Sequence, residues 1–109
     1  MPLTYYDRDG VELDSAKWRE LRADRTYRTL GSDVTSIDGD KVLVSTQWMG
    51  IVIVHDSGDT AKWLYDTILC TRHDETPHDG WNKRYDNLVD AIKGHDDIVR
   101  SLRMGRWPA

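Results

Sequence analysis

The chain has 109 residues, a formal net charge of −4, five tryptophans, no phenylalanine and one cysteine. This length is typical of one domain, here residues 1–109, with one hydrophobic core. The mild acidity gives no electrostatic basis for binding nucleic acid or a membrane surface, and the single Cys70 excludes an internal disulfide. The start lacks the features of a signal peptide, and no run reaches the ~20 apolar residues of a membrane span. We therefore expect a cytoplasmic protein.

The first predicted elements are short. Residues 3–6 are apolar and aromatic, and a polar turn follows them. Asp14 is well placed to cap a helix over residues 15–23. Leu13 and Trp18 have the spacing of a hydrophobic staple at its start. Because this helix is short, it needs packing against the rest of the domain.

The next segments are predicted to be extended, at residues 27–30 and 34–37, with a kink at residues 31–33 between them. The long strand of the sheet follows at residues 42–54, a β-branched run bracketed by polar turns. Fully extended, it would span roughly 43 Å, more than a domain of this size accommodates. We therefore expect a bulge or turn at Gly50.

Alternation in the strand assigns its two faces. The predicted core face holds Val42, Val44, Thr46 and Trp48, and the opposite face holds Leu43, Ser45, Gln47 and Met49. Residues 61–71 alternate again, and their uncharged side is predicted to face the core, with Trp63, Tyr65, Thr67 and Leu69. A polar loop at residues 72–80 and a short strand at residues 81–85 follow.

The clearest predicted helix begins after Asp86 or Asn87 and ends near Gly105. Its apolar positions recur with a period of 3.6 residues: Leu88, Ile92, His95, Val99 and Leu102. Gly94 lies inside this helix, where glycine is unfavourable, and indicates close packing on the sheet. Residues 106–109 are predicted to be a loose tail. Together these elements predict an α+β fold: an antiparallel sheet of four to five strands, a C-terminal helix packed on one face and a short N-terminal helix.

Histidines and carboxylates are dense in the loop after the third long segment. His73, Asp74, Glu75 and His78 have side chains that bind divalent metals. Metal ligands are usually held on rigid elements, whereas this loop contains proline, so a solvated surface loop is the favoured interpretation. We expect no structural metal and no cofactor, since the chain also lacks a phosphate-binding glycine loop.

His95 is the candidate for catalysis. A catalytic histidine needs a nucleophile or an orienting carboxylate, and the sequence identifies neither. A core histidine hydrogen-bonded to the sheet or to an N-terminal aromatic residue is the favoured alternative. Cys70 has no local feature that would make it reactive, so it is predicted to be a small buried or half-buried apolar residue.

The tryptophans suggest a contact surface. One small core has limited room for five indole rings, and tryptophan is enriched where binding energy concentrates. We predict that Trp18 and Trp48 are core residues and that Trp81 and Trp107 are partly exposed. Trp81, with Trp63 or Met49, is then the predicted binding surface; burial of all these rings in the core is the alternative.

Several short pieces occur in order along the chain: residues 6–10 with Trp18, Tyr27 with Arg28, residues 44–50, residues 65–69, Arg84 with Tyr85, and residues 91–95. In these pieces the chain resembles a family of small uncharacterised proteins of actinobacterial phages and prophages. The resemblance implies a phage accessory protein that acts inside a bacterial host, with no assigned activity, cofactor or catalytic residue.

Three functions remain open at this level. The first is a non-enzymatic protein that binds a host protein, as inhibitors of host or defence proteins do, or a second copy of itself as a homodimer. The second is a small metal-binding protein or metal-dependent enzyme that uses residues 73–79. The third is a structural component of the virion.

Overall fold

The computed structural model describes residues 3–71 and 77–108, with the backbone alone at residue 71 and residues 77–80. It shows an α+β fold with a short N-terminal helix and a C-terminal helix on an antiparallel sheet. The elements are β1 (Leu3–Tyr6), β2 (Glu12–Leu13), α1 (Ser15–Ala23), α2 (Arg25–Arg28), β3 (Thr29–Ile37), β4 (Asp40–Val54), β5 (Thr60–Thr71), β6 (Pro77–Tyr85) and α3 (Leu88–Arg103). The sheet of the described residues thus has six strands, rather than four or five, because short β1 and β2 both pair.

Strand β4 is the centre of the sheet. Its whole length pairs with β5 on one edge, and β6 continues the sheet beyond β5. The other edge is shared: β3 pairs with residues 40–47, and β1 pairs with residues 51–53. All these pairs are antiparallel. Strand β4 is thus the element to which both β3 and the β1–β2 pair are attached.

The predicted irregularity at Gly50 is confirmed. The β4–β5 register shifts between Trp48 and Ile51, and Gly50 has a φ of 71°. A side chain there would meet the backbone oxygen of Tyr6 and the indole of Trp48. Gly50 therefore serves both the backbone conformation and the close approach of β1.

Local signals located α1 correctly but failed for the segment after it. Asp14 caps α1 by accepting a hydrogen bond from the Lys17 amide at 2.7 Å. Residues 27–30 are not all extended, since Asp24 caps the helical turn α2. The kink predicted at residues 31–33 is also wrong: β3 is continuous there, and its register shift lies between Thr29 and Gly31.

The core divides into two clusters, both of which use residues of β4. The first cluster joins the sheet to the C-terminal half of α3: Ile37, Val42, Val44, Leu69, Ile98, Val99 and Leu102, with Trp81 packed against it. The second surrounds Trp48 and contains Tyr65, Tyr85 and Ala91, with partly buried residues of the N-terminal elements packed against it, including Trp18. Val42, Val44, Thr46 and Trp48 are all fully buried, which confirms the predicted core face.

Helix α3 begins as predicted, and most of its predicted inner face is confirmed. Asn87 accepts a hydrogen bond from the Asp90 amide at 2.8 Å. His95, Val99 and Leu102 are buried as predicted, together with Ala91 and Ile98. Ile92, predicted to be buried, is instead 45% exposed, and Leu88 is half-buried. Gly94 allows the helix to lie close to the Tyr85 ring.

The remaining strand β6 is longer than predicted. It starts at Pro77 rather than Trp81, so part of the predicted loop pairs with β5. Trp18, predicted to be core, is half-buried. Across the described residues, none of the helices has the length and apolarity needed to cross a membrane.

Candidate functional site

The three residues predicted to bind a partner lie in different surroundings. Trp81 is half-buried and packs against the first core cluster. The Trp63 indole donates to Asp66 at 3.3 Å, and the Arg84 guanidinium lies 4.9 Å from the Trp63 ring. Met49 lies at the Gly50 irregularity, where its backbone oxygen accepts from the Trp18 indole. A role for Trp81, Trp63 and Met49 in binding stays a prediction.

The candidate metal ligands cannot be placed. His73, Asp74 and Glu75 lie outside the described residues, and so does the side chain of His78. Over residues 3–71 and 77–108, the described His, Cys, Asp and Glu side chains form no group of three that could hold a metal ion.

A groove of about 690 Å³ lies on the sheet face opposite α3. We call it the open-face groove. It is lined by Arg25, Arg28, Thr29, Ser32, Val34, Lys41, Leu43, Ser45, Gln47, Ile68 and Cys70. Its volume lies within the range of about 300–1,000 Å³ that is usual for ligand sites.

Strand register explains how these residues meet. Leu43 and Ser45 alternate with the buried Val42 and Val44, so they point away from α3. Leu43 pairs with Val34 on one side and with Cys70 on the other. Ser45 likewise pairs with Ser32 and Ile68. Three neighbouring strands thus form a floor in which apolar and hydroxyl side chains alternate.

The rim of the groove is basic. Arg25 and Arg28 come from α2, and Lys41 comes from the start of β4. Arg28 donates to the backbone oxygen of Arg22 at 2.8 Å, which holds its guanidinium in place. Neither Arg25 nor Lys41 forms an ion pair with another described residue. Among the described residues that line the groove there is no Asp or Glu, although the whole chain is acidic.

Asp66 is a carboxylate beside the groove lining, and it already accepts hydrogen bonds from neighbouring side chains. Asp66 pairs with Gln47 across the β4–β5 ladder, and it is buried. It accepts hydrogen bonds from the Trp63 indole at 3.3 Å and from the Asn82 amide at 3.5 Å. The described lining itself carries three cations and no carboxylate, which favours an anionic ligand.

His95 belongs to a second arrangement, a buried polar chain on the α3 side of the sheet. Its Nε2 lies 2.6 Å from Asp33 Oδ2, and its Nδ1 lies 2.6 Å from Thr46 Oγ1. Thr46 Oγ1 is in turn 2.5 Å from Thr67 Oγ1. Gly31 makes room for the ring, because a side chain there would meet its Cε1 and Nε2 at 2.8 Å.

The acceptor groups determine which atom donates in each hydrogen bond of this buried series. An ionised Asp33 can only accept, so Nε2 of His95 carries a proton. In the neutral ring, Nδ1 then accepts from the Thr46 hydroxyl, which itself accepts from Thr67. The prediction that His95 is a core histidine bonded to the sheet is confirmed: it is 4% exposed and links α3 to β3 and β4.

A carboxylate, an imidazole and a hydroxyl in series are also the groups of a nucleophilic triad. Here the hydroxyl belongs to Thr46, which is fully buried, so a substrate cannot reach it. In the described geometry, this series of hydrogen-bonded side chains therefore links helix α3 to the sheet. Asp33, the carboxylate that the sequence did not reveal, is 62 positions from His95, a separation that no local spacing rule covers.

Two buried phenols lie near this chain and the second core cluster. The Tyr85 hydroxyl is buried and has no hydrogen-bond partner of good geometry among the described residues. Burial raises the pKa of Tyr85, and the nearby Thr67 hydroxyl opposes that shift only in part. Burial also raises the pKa of Tyr65, and the charges of Asp9 and Asp7 add to the shift. The Tyr65 hydroxyl donates to the backbone oxygen of Arg8 at 2.5 Å.

Comparison of the chain with protein-family models, curated proteins and solved structures found no match in any of the three. The open-face groove is therefore interpreted from its own geometry and charge.

Proposed function

We propose that the protein is a non-enzymatic binding protein that holds a segment of another protein in the open-face groove. The observation that supports this most directly is the basic, half-apolar floor and rim on a sheet face turned away from α3. Apolar side chains on the floor supply contact area, and the cations select the partner by charge.

The partner segment is acidic. Arg25 and Lys41 form no ion pair with other described residues, and none of the lining residues that the structure describes is a carboxylate. A long polyanion such as nucleic acid would also meet the net charge of −4 on the whole chain, which opposes its binding. A short acidic protein segment is influenced mainly by the local cations, because other charges are screened beyond about 10 Å.

The resemblance to phage proteins leads us to propose that binding occurs in the cytoplasm of a bacterial host. A host protein, such as a component of a defence system, is the proposed partner. A structural role in the virion remains the competing proposal, and finding the chain in purified particles would support it. The metal-binding alternative also remains open: metal analysis of the purified protein would promote it if a stoichiometric metal were found.

Charge reversal in the groove tests the proposal. The double variant Arg25→Glu with Lys41→Glu should lose a partner that the wild-type protein captures from host lysate. The matched control is Arg19→Glu with Lys93→Glu, which reverses one arginine and one lysine at exposed positions outside the groove. It changes the net charge equally and should retain the partner.

Binding is then measured with the purified partner. A loss of roughly tenfold or more in affinity is expected for the groove variant, equivalent to about 1.4 kcal/mol, with unfolding curves that match those of the control. Equal binding by the groove variant and the control would show that the partner binds elsewhere, and would direct attention to Trp81, Trp63 and Met49.

A further inference from the structure

Strand β3 leaves one of its edges free. It pairs with β4 along residues 29–37, and no other described strand pairs with it. Apart from the bond by which the Thr29 amide ends α2, no other backbone hydrogen bond joins β3 to the described residues beyond β4. In an antiparallel pair, alternate residues of an edge strand turn their N–H and C=O groups outward, so this edge can accept another strand.

The free edge lacks the usual protection against pairing. Edge strands are commonly short, or carry proline or outward lysine. Strand β2 is two residues long, and β6 contains Pro77, Lys83 and Arg84. In contrast, β3 has nine residues and a single charged one, Asp33. That carboxylate contacts His95 at 2.6 Å on the α3 side of the sheet. It therefore does not prevent another strand from pairing with the edge of β3.

The same strand forms one side of the open-face groove. Ser32 and Val34 line the groove, and Val34 is 63% exposed. Arg25 and Arg28 lie just before β3 in the chain, and Lys41 follows it across the β3–β4 turn. A strand added beside β3 would therefore extend the groove floor, and its side chains on that face would lie next to the three cations.

We propose that the partner binds by β-strand addition: an extended segment with alternate acidic side chains pairs with the free edge of β3. This inference rests on the proposed function and specifies its mode. Backbone hydrogen bonds along β3 supply the pairing. Arg25, Arg28 and Lys41 select carboxylates on the groove face of the added strand, and the His95 chain holds β3 rigid from the opposite face.

A second copy of the chain is the competing occupant, because an edge strand can pair with itself. Self-pairing through β3 would add another Ser32, another Val34 and further groove cations to the same surface. The cations of one copy would meet no carboxylate among the described groove residues of the other. Charge complementarity therefore favours an acidic segment.

The test uses amide hydrogen exchange and NMR titration of the full chain with synthetic peptides. The probe is a peptide of alternating valine and glutamate about as long as β3. Two controls have the same length: one carries lysine in place of glutamate, and the other is N-methylated along its backbone. The expected result is protection of alternate amides within residues 30–37, with affinity reduced roughly tenfold or more for both controls.

Three results would overturn the proposal. Shifts confined to groove side chains, without protection in β3, would mean that an acidic segment binds without strand addition, and the proposed function would survive. Protection that appears without peptide and rises with protein concentration would identify a second copy as the occupant. Failure of the glutamate peptide to bind better than either control would reject both pairing and charge selection at this edge. If β3 is protected as expected but the groove variant still captures the lysate partner, the proposed function fails separately.

Discussion

Replacing Gly94 by alanine should destabilise the protein, opposite to the usual effect of this change in a helix. In an exposed helix interior, alanine is about 1 kcal/mol more favourable than glycine. Here a Cβ at position 94 would run into the ring of Tyr85, with the hydroxyl oxygen and Cζ nearest and Cε1 at 2.5 Å. Such separations are well inside van der Waals contact, so either the ring or the helix must move.

The magnitude follows from how firmly the ring is held. Tyr85 is 8% exposed and belongs to the second core cluster with Trp48 and Tyr65. It cannot swing aside without opening that cluster. Overpacking a core costs ~1–3 kcal/mol, and we take the upper end because a rigid ring is displaced. Subtracting the propensity gain leaves a net loss of about 2 kcal/mol for Gly94→Ala.

Urea unfolding followed by tryptophan fluorescence measures this loss. Lys93 is the exposed neighbour on the same helix, and Lys93→Ala should be more stable than Lys93→Gly by about 1 kcal/mol. In a double-mutant cycle, Tyr85→Leu should reduce the cost of Gly94→Ala by about 1 kcal/mol or more, because the obstructing ring is gone. A Gly94→Ala variant as stable as the wild type would refute the proposed close contact.

The other predictions concern the core and its polar chain. Ile98→Ala should cost ~2–5 kcal/mol in the same unfolding assay, since Ile98 is buried, whereas Ile92→Ala at its exposed position should cost less than about 1 kcal/mol; equal losses would mean that the helix face is assigned wrongly. Thr46→Val should lower the free energy of unfolding by ~1–3 kcal/mol, because it leaves the His95 Nδ1 and the Thr67 hydroxyl unpaired. Thr67→Val should then cost less in the Thr46→Val background than in the wild-type protein. Strictly additive losses would argue against a hydrogen-bonded series through these side chains. Folding raises the pKa values of Tyr65 and Tyr85 above the usual 10.0. As the pH rises, the unfolded state therefore loses these protons before the folded state does. The free energy of unfolding should then be steady below about pH 10 and fall as the pH rises through the folded-state pKa. Tyr85→Phe should weaken that fall without loss of stability at neutral pH, since its hydroxyl has no good partner; an unchanged alkaline slope would contradict this.

Much of the fold could be predicted because its signals are local. The β-branched run of β4, the Asp14 cap and the Asn87 cap each depend on residues within a few positions. The inner face of α3 was predicted only in part: His95, Val99 and Leu102 are buried as expected, whereas Ile98 is buried in place of Ile92. Packing of α3 on the sheet brings together residues that are distant in the chain, and no local spacing rule covers it.

The sequence predicted only part of the candidate site. Alternation placed Leu43 and Ser45 on the face opposite the core, which is the floor of the groove. Its basic rim was missed, because Arg25 and Arg28 lie in a helical turn where part of the segment was predicted to be extended. The ring of His95 was correctly predicted to be buried, yet its partner Asp33 is distant in the chain and becomes a neighbour only when α3 crosses β3.

On the shared edge of β4, Trp48 lies between the segment that pairs with β3 and the segment that pairs with β1. On one side of this residue, β1 and β2 are attached through three register pairs, Leu3 with Ile53, Thr4 with Val52 and Tyr5 with Ile51. On the other side, β3 is held along its whole length and fastened to α3. Trp48 itself receives a hydrogen bond from Arg22, donates one to Tyr6 and meets Tyr27 edge-on. Local opening of β1 and β2 alone would therefore expose Trp48 while leaving β3 paired with β4 and fastened to α3.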